Sequence, residues 1–328
     1  MISIEDIVRP VAMEFRTFED AFQRSLMSDN TLLHEVLQWA TANKGKQLRP
    51  RLVLLSAQLC NRGGSGINDK TIQAAVALEL MHTASLIHDD IVDNSPLRRN
   101  QESVWKHWDK KVAVLSGDYI LSKAMSIIGN LRNIQIMNIV LDLAASLSSG
   151  ELLQLNYSGD NRFISEEESM RILEMKTASL FSACAEIGAV SAGATMKQQT
   201  ALREYGRHLG ICFQLKDDAF DFGDNDDIGK PTMGDVCDGK LTLPLIISLQ
   251  RATRADRQHI HDLLMQPLSS DDLQEIKSFV LRYDGLGYTQ HKMQEHYEEG
   301  IQCLSVFREN KLRTSLEELL RYAVVRTN

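Results

Sequence analysis

Six prolines in 328 residues leave few places where a helix is forced to stop, and β-branched residues alternating with polar ones are scarce too. What fills the chain instead is apolar residues three and four apart, the spacing of a helix face, so the expected fold is all-α. Cysteine is sparse as well: Cys60, Cys184, Cys212, Cys237 and Cys303 are scattered, odd in number and never spaced as CxxC. That excludes a disulfide framework and a cysteine-built zinc site, and it suits reduced thiols in a cytoplasmic protein. Basic charge is in deficit, with a net charge of −8 and no stripe of lysine and arginine interleaved with aromatics, which argues against a nucleic-acid partner. The first residues, Met1-Ile2-Ser3-Ile4-Glu5-Asp6, turn acidic early, so no secretory leader is expected. No uninterrupted apolar run reads as long enough to span a bilayer, although contact with a membrane surface stays open.

The 43% of hydrophobic residues can bury a large core, and no proline- or serine-rich tract divides the halves. A single domain over 1–328 is therefore expected. Periodicity and punctuation predict helices over 11–27, 31–42, 50–61, 69–92, 111–130, 133–156, 166–192, 197–222, 241–266, 271–284, 288–308 and 314–325. Asn61 to Gly66 and Tyr157 to Asn161 read as turns, and Ser165 with Glu168 as a capping box.

Against this background one pattern occurs twice: Asp89-Asp90-Ile91-Val92-Asp93 and Asp217-Asp218-Ala219-Phe220-Asp221. On a helix the first and last acid of each cluster share a face, an unfavourable pairing unless a cation sits between them. Carboxylate oxygens completed by water and substrate phosphate are the usual shell of Mg²⁺. Apolar runs precede both clusters, placing them toward the C-terminal ends of buried helices, where the helix dipole already disfavours acids. Asp271-Asp272 is an internal control: it follows Ser269-Ser270, so it reads as first-turn capping and nothing more.

Cations that would complement phosphate lie near the acids: Lys46 and Arg49 in Gly45-Lys46-Gln47-Leu48-Arg49-Pro50, and Arg98-Arg99 just after Asp93. Gly45-Lys46 is no P-loop, because GxxxxGK[ST] is absent. The polar, glycine-rich stretch from Phe222 to Lys240 reads as a lid or binding loop. Two acid clusters with several cations point to a substrate carrying more phosphate than one monoester.

These segments resemble the polyprenyl synthetase family, the trans-isoprenyl diphosphate synthases. The resemblance runs in order through Gly45 to Pro50, Glu79 to Asp93 with Arg98-Arg99, Gly117-Asp118-Tyr119, Gly150-Glu151, Lys176-Thr177, and Phe213 to Asp218 on to Lys240-Leu241-Thr242-Leu243-Pro244. It implies an isoprenoid synthase-type helical bundle with both clusters facing one central cavity, and a homodimer. It also implies head-to-tail elongation, in which an allylic prenyl diphosphate ionises and is attacked by isopentenyl diphosphate. By that likeness Asp89, Asp93 and Asp217, supported by Asp90, Asp218 and Asp221, would hold Mg²⁺. Arg98, Lys176, Thr177, Gln214 and Lys230 would contact the allylic diphosphate, and Lys240 would help close the loop. Lys46, Arg49, His82 and Arg99 would bind isopentenyl diphosphate. Asn100 departs from the glycine the family usually has after the paired arginines.

The same likeness bears on product length. Ala84 and Ser85 lie one turn before the first cluster, where family members that stop at farnesyl carry an aromatic; both are small, so a longer product is expected, with octaprenyl as the central reading. Met81, Leu78 and Met125 are candidates for a deeper tunnel wall. Rival readings are a geranylgeranyl or farnesyl synthase, a class I terpene cyclase, an HD-type phosphohydrolase using His82 and His88-Asp89, and a non-catalytic regulatory subunit. A cyclase would lack the second DDxxD, a hydrolase would leave it unexplained, and a regulatory chain would be expected to have lost acids or lysines.

Overall fold

A computed structural model describes residues 3–61, 67–157, 164–223 and 233–326. Most of both predicted glycine and polar turns, and the middle of the Phe222–Lys240 loop with Lys230, lie outside them. Among the described residues the chain is all-α apart from one two-residue hairpin, Leu97–Arg98 paired antiparallel with Gln101–Glu102.

The helices are α1 (Ile4–Ile7), α2 (Ala12–Ser25), α3 (Thr31–Ala42), α4 (Leu48–Cys60), α5 (Asp69–Val92), α6 (Val104–His107), α7 (Lys110–Asn130), α8 (Ile134–Leu155) and α9 (Glu166–Leu173). They continue as α10 (Ser179–Ser191), α11 (Met196–Asp221), α12 (Gly234–Cys237), α13 (Leu243–Arg251), α14 (Arg254–Leu264), α15 (Ser270–Arg282), α16 (Gly285–Cys303) and α17 (Lys311–Val325). Two compact units result: one of 1–141, 183–203 and 306–316, the other of 142–182, 204–305 and 317–328.

In the first unit α5 is the organising element. Asn68 caps it by accepting the Thr71 amide, and residues Ala74 to Met81 are buried in succession, as a helix needs when neighbours surround it. It packs against α2, α4 and α7. Its last turn carries the first acid cluster, and α11, whose residues from Glu204 onward belong to the second unit, ends on the second. Both clusters therefore occupy helix C-termini, as their flanking apolar runs predict.

Two predicted helices are interrupted. The segment 166–192 contains a π-helical turn, Glu174–Ala178, between α9 and α10. The segment 241–266 breaks at Ala252-Thr253, where the Thr253 hydroxyl accepts the Asp256 amide and starts α14. Ser165 with Glu168 and Ser269 with Asp272 are both reciprocal capping boxes, so the Asp271-Asp272 pair does serve a helix start.

One expectation is corrected. By length and composition α7 and α8 are apolar enough to cross a membrane, with mean hydropathies of 1.3 and 1.4. Neither holds a long unbroken apolar run, yet their interruptions are mostly serine, glycine and asparagine rather than charge, so the mean hydropathy stays high. α7 lies along α5 within the first unit, while Val114, Leu115 and Tyr119 of α7 and Ile134, Leu141, Leu152 and Leu155 of α8 stay exposed.

Candidate functional site

In the first unit a cleft is lined by Asn43, Gln47, Glu79, His82, Asp90, Arg98 and Arg99 among others. Glu79 and His82 lie three apart on α5 and so share a face. Arg49, on α4, reaches His82 at 3.0 Å from Nη1 to Nε2. A guanidinium has only donors, so Nε2 accepts and the imidazole proton sits on Nδ1. Burial first, then the charges of Arg49, Arg99 and Arg98, hold His82 well below the usual histidine range, so it is neutral. Glu79 is pushed the other way by burial, against the pull of Arg49 and Arg99.

The hairpin explains how two arginines reach this cleft. Arg99 and Asn100 both have positive φ, 51° and 62°, the backbone of a two-residue type I′ turn. Asparagine tolerates that region better than most side chains, so the departure from glycine at 100 leaves the turn intact. Arg98 Nε donates to Asp90 Oδ1 at 2.9 Å, and Arg99 donates to the Asn43 carbonyl. Burial raises the Asp90 carboxyl and the Arg98 bond pulls it partly back. Asp89 and Asp93 are half-buried, and Lys46 is exposed.

Of the residues read as setting product length, Ala84, Met81 and Leu78 are buried in α5. Ser85 is half-buried with its hydroxyl on the His82 carbonyl at 2.9 Å, and Met125 is half-buried on α7.

The second unit holds a cleft lined by Gln154, Tyr157, Lys176, Thr177, Gln214, Asp218, Asp235 and Lys240 among others. Lys176 and Thr177 project from the π turn, a distortion frequent at functional sites. Lys176 Nζ donates to Glu151 at 2.8 Å and Gln154 at 2.5 Å. Gly150 is needed for that approach, because a Cβ there would stand 2.9 Å from both Lys176 Cγ and Met175 Cβ. A chain of bonds then links Thr177 Oγ1 to Gln214 Oε1 at 3.0 Å and Gln214 Nε2 to Asp218 Oδ1 at 3.0 Å. Lys240 lies 3.9 Å from Asp238.

Acids crowd this second cleft. Asp218 is buried and its carboxyl is pushed up to about 7, by burial first and by Asp235 and Asp217 next. Asp221 rises to about 6 for the same first two reasons, although the Gly234 and Asp235 amides donate to it at 2.8 and 3.2 Å. An all-oxygen donor set whose members resist sharing negative charge fits a hard divalent cation.

Two residues here escaped sequence reading. Asp235 is a further acid inside the glycine-rich loop, where nothing set it apart from its neighbours. Arg326 follows α17 and is far from any motif, yet its guanidinium donates to Asp217 Oδ1 and the Phe213 carbonyl, both at 2.8 Å, and lies 3.8 Å from the Phe213 ring centre.

The polyprenyl synthetase family model matches residues 30–280, and the chain belongs to that family. Relatives of known kind extend the likeness beyond the matched core. The chain is 29% identical over 327 residues to octaprenyl diphosphate synthase of Haemophilus influenzae, covering 99% of this chain and 98% of that one. It is 30% identical to a short chain isoprenyl diphosphate synthase of Methanothermobacter thermautotrophicus, covering 99% of each. Among solved structures it matches a polyprenyl synthase from Caulobacter crescentus, complexed with calcium and isoprenyl diphosphate, with a TM-score of 0.91 and 30% identity, covering 99% of this chain and 98% of that one. The fold is that of the all-α isoprenoid synthases, and the activity that follows at family level is prenyl transfer.

Proposed function

We propose that this protein is a trans-polyprenyl diphosphate synthase that condenses isopentenyl diphosphate head-to-tail with an allylic prenyl diphosphate, using Mg²⁺. The observation that carries the reading is the pairing, within each unit, of an Asp-Asp-x-x-Asp helix end with basic side chains lining a cleft. The relative in complex with calcium and isoprenyl diphosphate supports a divalent cation as cofactor.

Asp89 and Asp93, and Asp217 with Asp218 and Asp221, would hold the metal. Bound Mg²⁺ supplies the positive charge that makes pyrophosphate a tolerable leaving group. Lys176, Thr177, Gln214 and Lys240 would orient the allylic diphosphate, with Lys230 as a further contact. Arg98 has a double role: it neutralises Asp90 in the structure described above, and it would turn part of its donor set to phosphate when substrate arrives. Lys46, Arg49, His82 and Arg99 would grip isopentenyl diphosphate, and a neutral His82 can donate to phosphate only through Nδ1. The Arg49 bond to His82 Nε2 also speaks against an HD-type hydrolase, since it uses the lone pair that a metal would need.

For product length, small side chains at Ala84 and Ser85 support an octaprenyl product, with a shorter one as the alternative because relatives of both kinds exist. Incubating purified protein with farnesyl diphosphate, isopentenyl diphosphate and Mg²⁺ is expected to yield prenyl diphosphates around octaprenyl. No elongation at all would end the reading. Ala84→Phe is expected to shorten the product toward farnesyl or geranylgeranyl, and an unchanged distribution would refute the tunnel argument.

Both units together make up one synthase domain in this reading, acting in the cytoplasm as a homodimer. The exposed apolar residues of α7 and α8 favour a second copy as their cover, with brief membrane contact at product release as the other use. Light scattering that returns the mass of one chain would remove the homodimer.

A further inference from the structure

In the second unit, away from the acid cluster, α11 and α16 bring two histidines together, their rings tilted by 38°. His208 Nδ1 lies 3.0 Å from His296 Nδ1, and Glu299 Oε2 lies 3.5 Å from each of those nitrogens. His296 and Glu299 are three apart on α16 and share a face, while His208 comes from the neighbouring helix. Gly300 lets the helices approach this closely, because a Cβ there would stand 3.1 Å from His208 Cβ.

The dimensions are those of a coordination site. Ligand atoms bound to tetrahedral Zn²⁺ at about 2.0–2.2 Å stand roughly 3.3 Å from one another. The observed triangle has edges of 3.0, 3.5 and 3.5 Å, close to one face of that tetrahedron. Two imidazoles and one carboxylate suit Zn²⁺ better than Mg²⁺, which prefers oxygen alone. Burial keeps both rings below the usual histidine range, with Arg207 next in weight for His208 and His208 next for His296, which falls to about 4. One of the two facing Nδ1 atoms donates across the 3.0 Å contact, so that ring must move its proton to Nε2 before both lone pairs face an ion. Exposure grades outward, from 7% for the His208 side chain through 14% for His296 to 59% for Glu299, which leaves a path for an ion and room for water as a fourth ligand. Arg207, the adjacent cation, is engaged by Glu174 and lies 4.0 Å from Glu204.

We propose that His208, His296 and Glu299 bind one Zn²⁺, with water in the fourth position, as a clamp between α11 and α16. The site is separate from the aspartates proposed to hold Mg²⁺, and it does not depend on prenyl transfer. His208 lies nine residues before Asp217 on the same helix, about 13 Å along the axis, so the clamp would steady the helix that presents the second acid cluster.

The test uses full-length protein stripped with a chelator. Titration with Zn²⁺ against a chromophoric competitor should find one tight equivalent, and Co²⁺ in its place should give the intense visible bands of a tetrahedral ion. Zn²⁺ should also raise Tm. Asp89→Asn and Asp217→Asn should leave all three readouts unchanged. His296→Ala and Glu299→Gln, both at less buried positions than His208, should weaken Zn²⁺ by about a hundredfold or more, beyond the ten- to hundredfold that loss of a mere orienting neighbour costs. No Zn²⁺ uptake by the wild type, or wild-type affinity in both of those variants, would overturn the proposal.

Discussion

Both acid clusters read Asp-Asp-x-x-Asp and both close a long helix, yet their electrostatic loads differ. In the first, Asp90 is the buried acid and Arg98, delivered by the hairpin, neutralises it. In the second, Asp218 is the buried acid and meets Gln214, a neutral donor, with Asp235 added to the crowd. Arg326 offsets Asp217 instead. The motif alone therefore does not define a site's charge: in the first cluster the buried acid is the one paired with an arginine, whereas in the second the arginine meets Asp217 and the buried Asp218 keeps a repulsion that a bound cation would relieve.

The largest expected effect tests what the clusters share. Asp89→Asn and Asp217→Asn should each lower turnover at least about a hundredfold while circular dichroism stays unchanged, since on the proposed reading each removes a ligand of the cation that neutralises the leaving group. Wild-type turnover in either variant would take that cluster out of catalysis. Stability should then separate the two. Arg98→Ala leaves the Asp90 carboxylate buried without its partner and should cost about 1–3 kcal/mol in urea unfolding of the metal-free protein. Asp218→Asn removes a buried charge while its amide oxygen still accepts from Gln214, and should stabilise the metal-free protein by ~1–3 kcal/mol at pH 8. Shifts of the same sign would erase the contrast.

The smallest effect concerns His82, faced by Arg49, Arg98, Arg99 and Glu79. Its value in the fold is lowered well below 6.5, so below about that pH the unfolded chain binds the extra proton and stability falls as pH drops. Glu79, raised by burial, acts in the opposite direction, contributing stability at low pH that is lost as pH rises through its folded value. His82→Asn should flatten the fall just below pH 6.5 seen in pH-dependent urea midpoints, and an unchanged slope would show that His82 is not its source.

Helix content was legible because apolar spacing is local: α3 and α5 fall on their predicted bounds, and α7, α8 and α11 within a residue of theirs. The π turn at Glu174–Ala178 was not, because one extra residue per turn leaves no mark on periodicity over so short a stretch. Asp271-Asp272 could be dismissed as capping because its hydroxyls precede it in sequence. Arg326 could not be found, since its partners Asp217 and Phe213 lie more than a hundred residues earlier.

By itself, then, the chain's order of residues determined an all-α fold, two acid-bearing helix ends and the cations that accompany them, because each depends on neighbours a turn or two away. Only tertiary packing decided which acid is neutralised, which is crowded, and that His208 meets His296. Burial and through-space charge set those outcomes, and neither is written in local spacing.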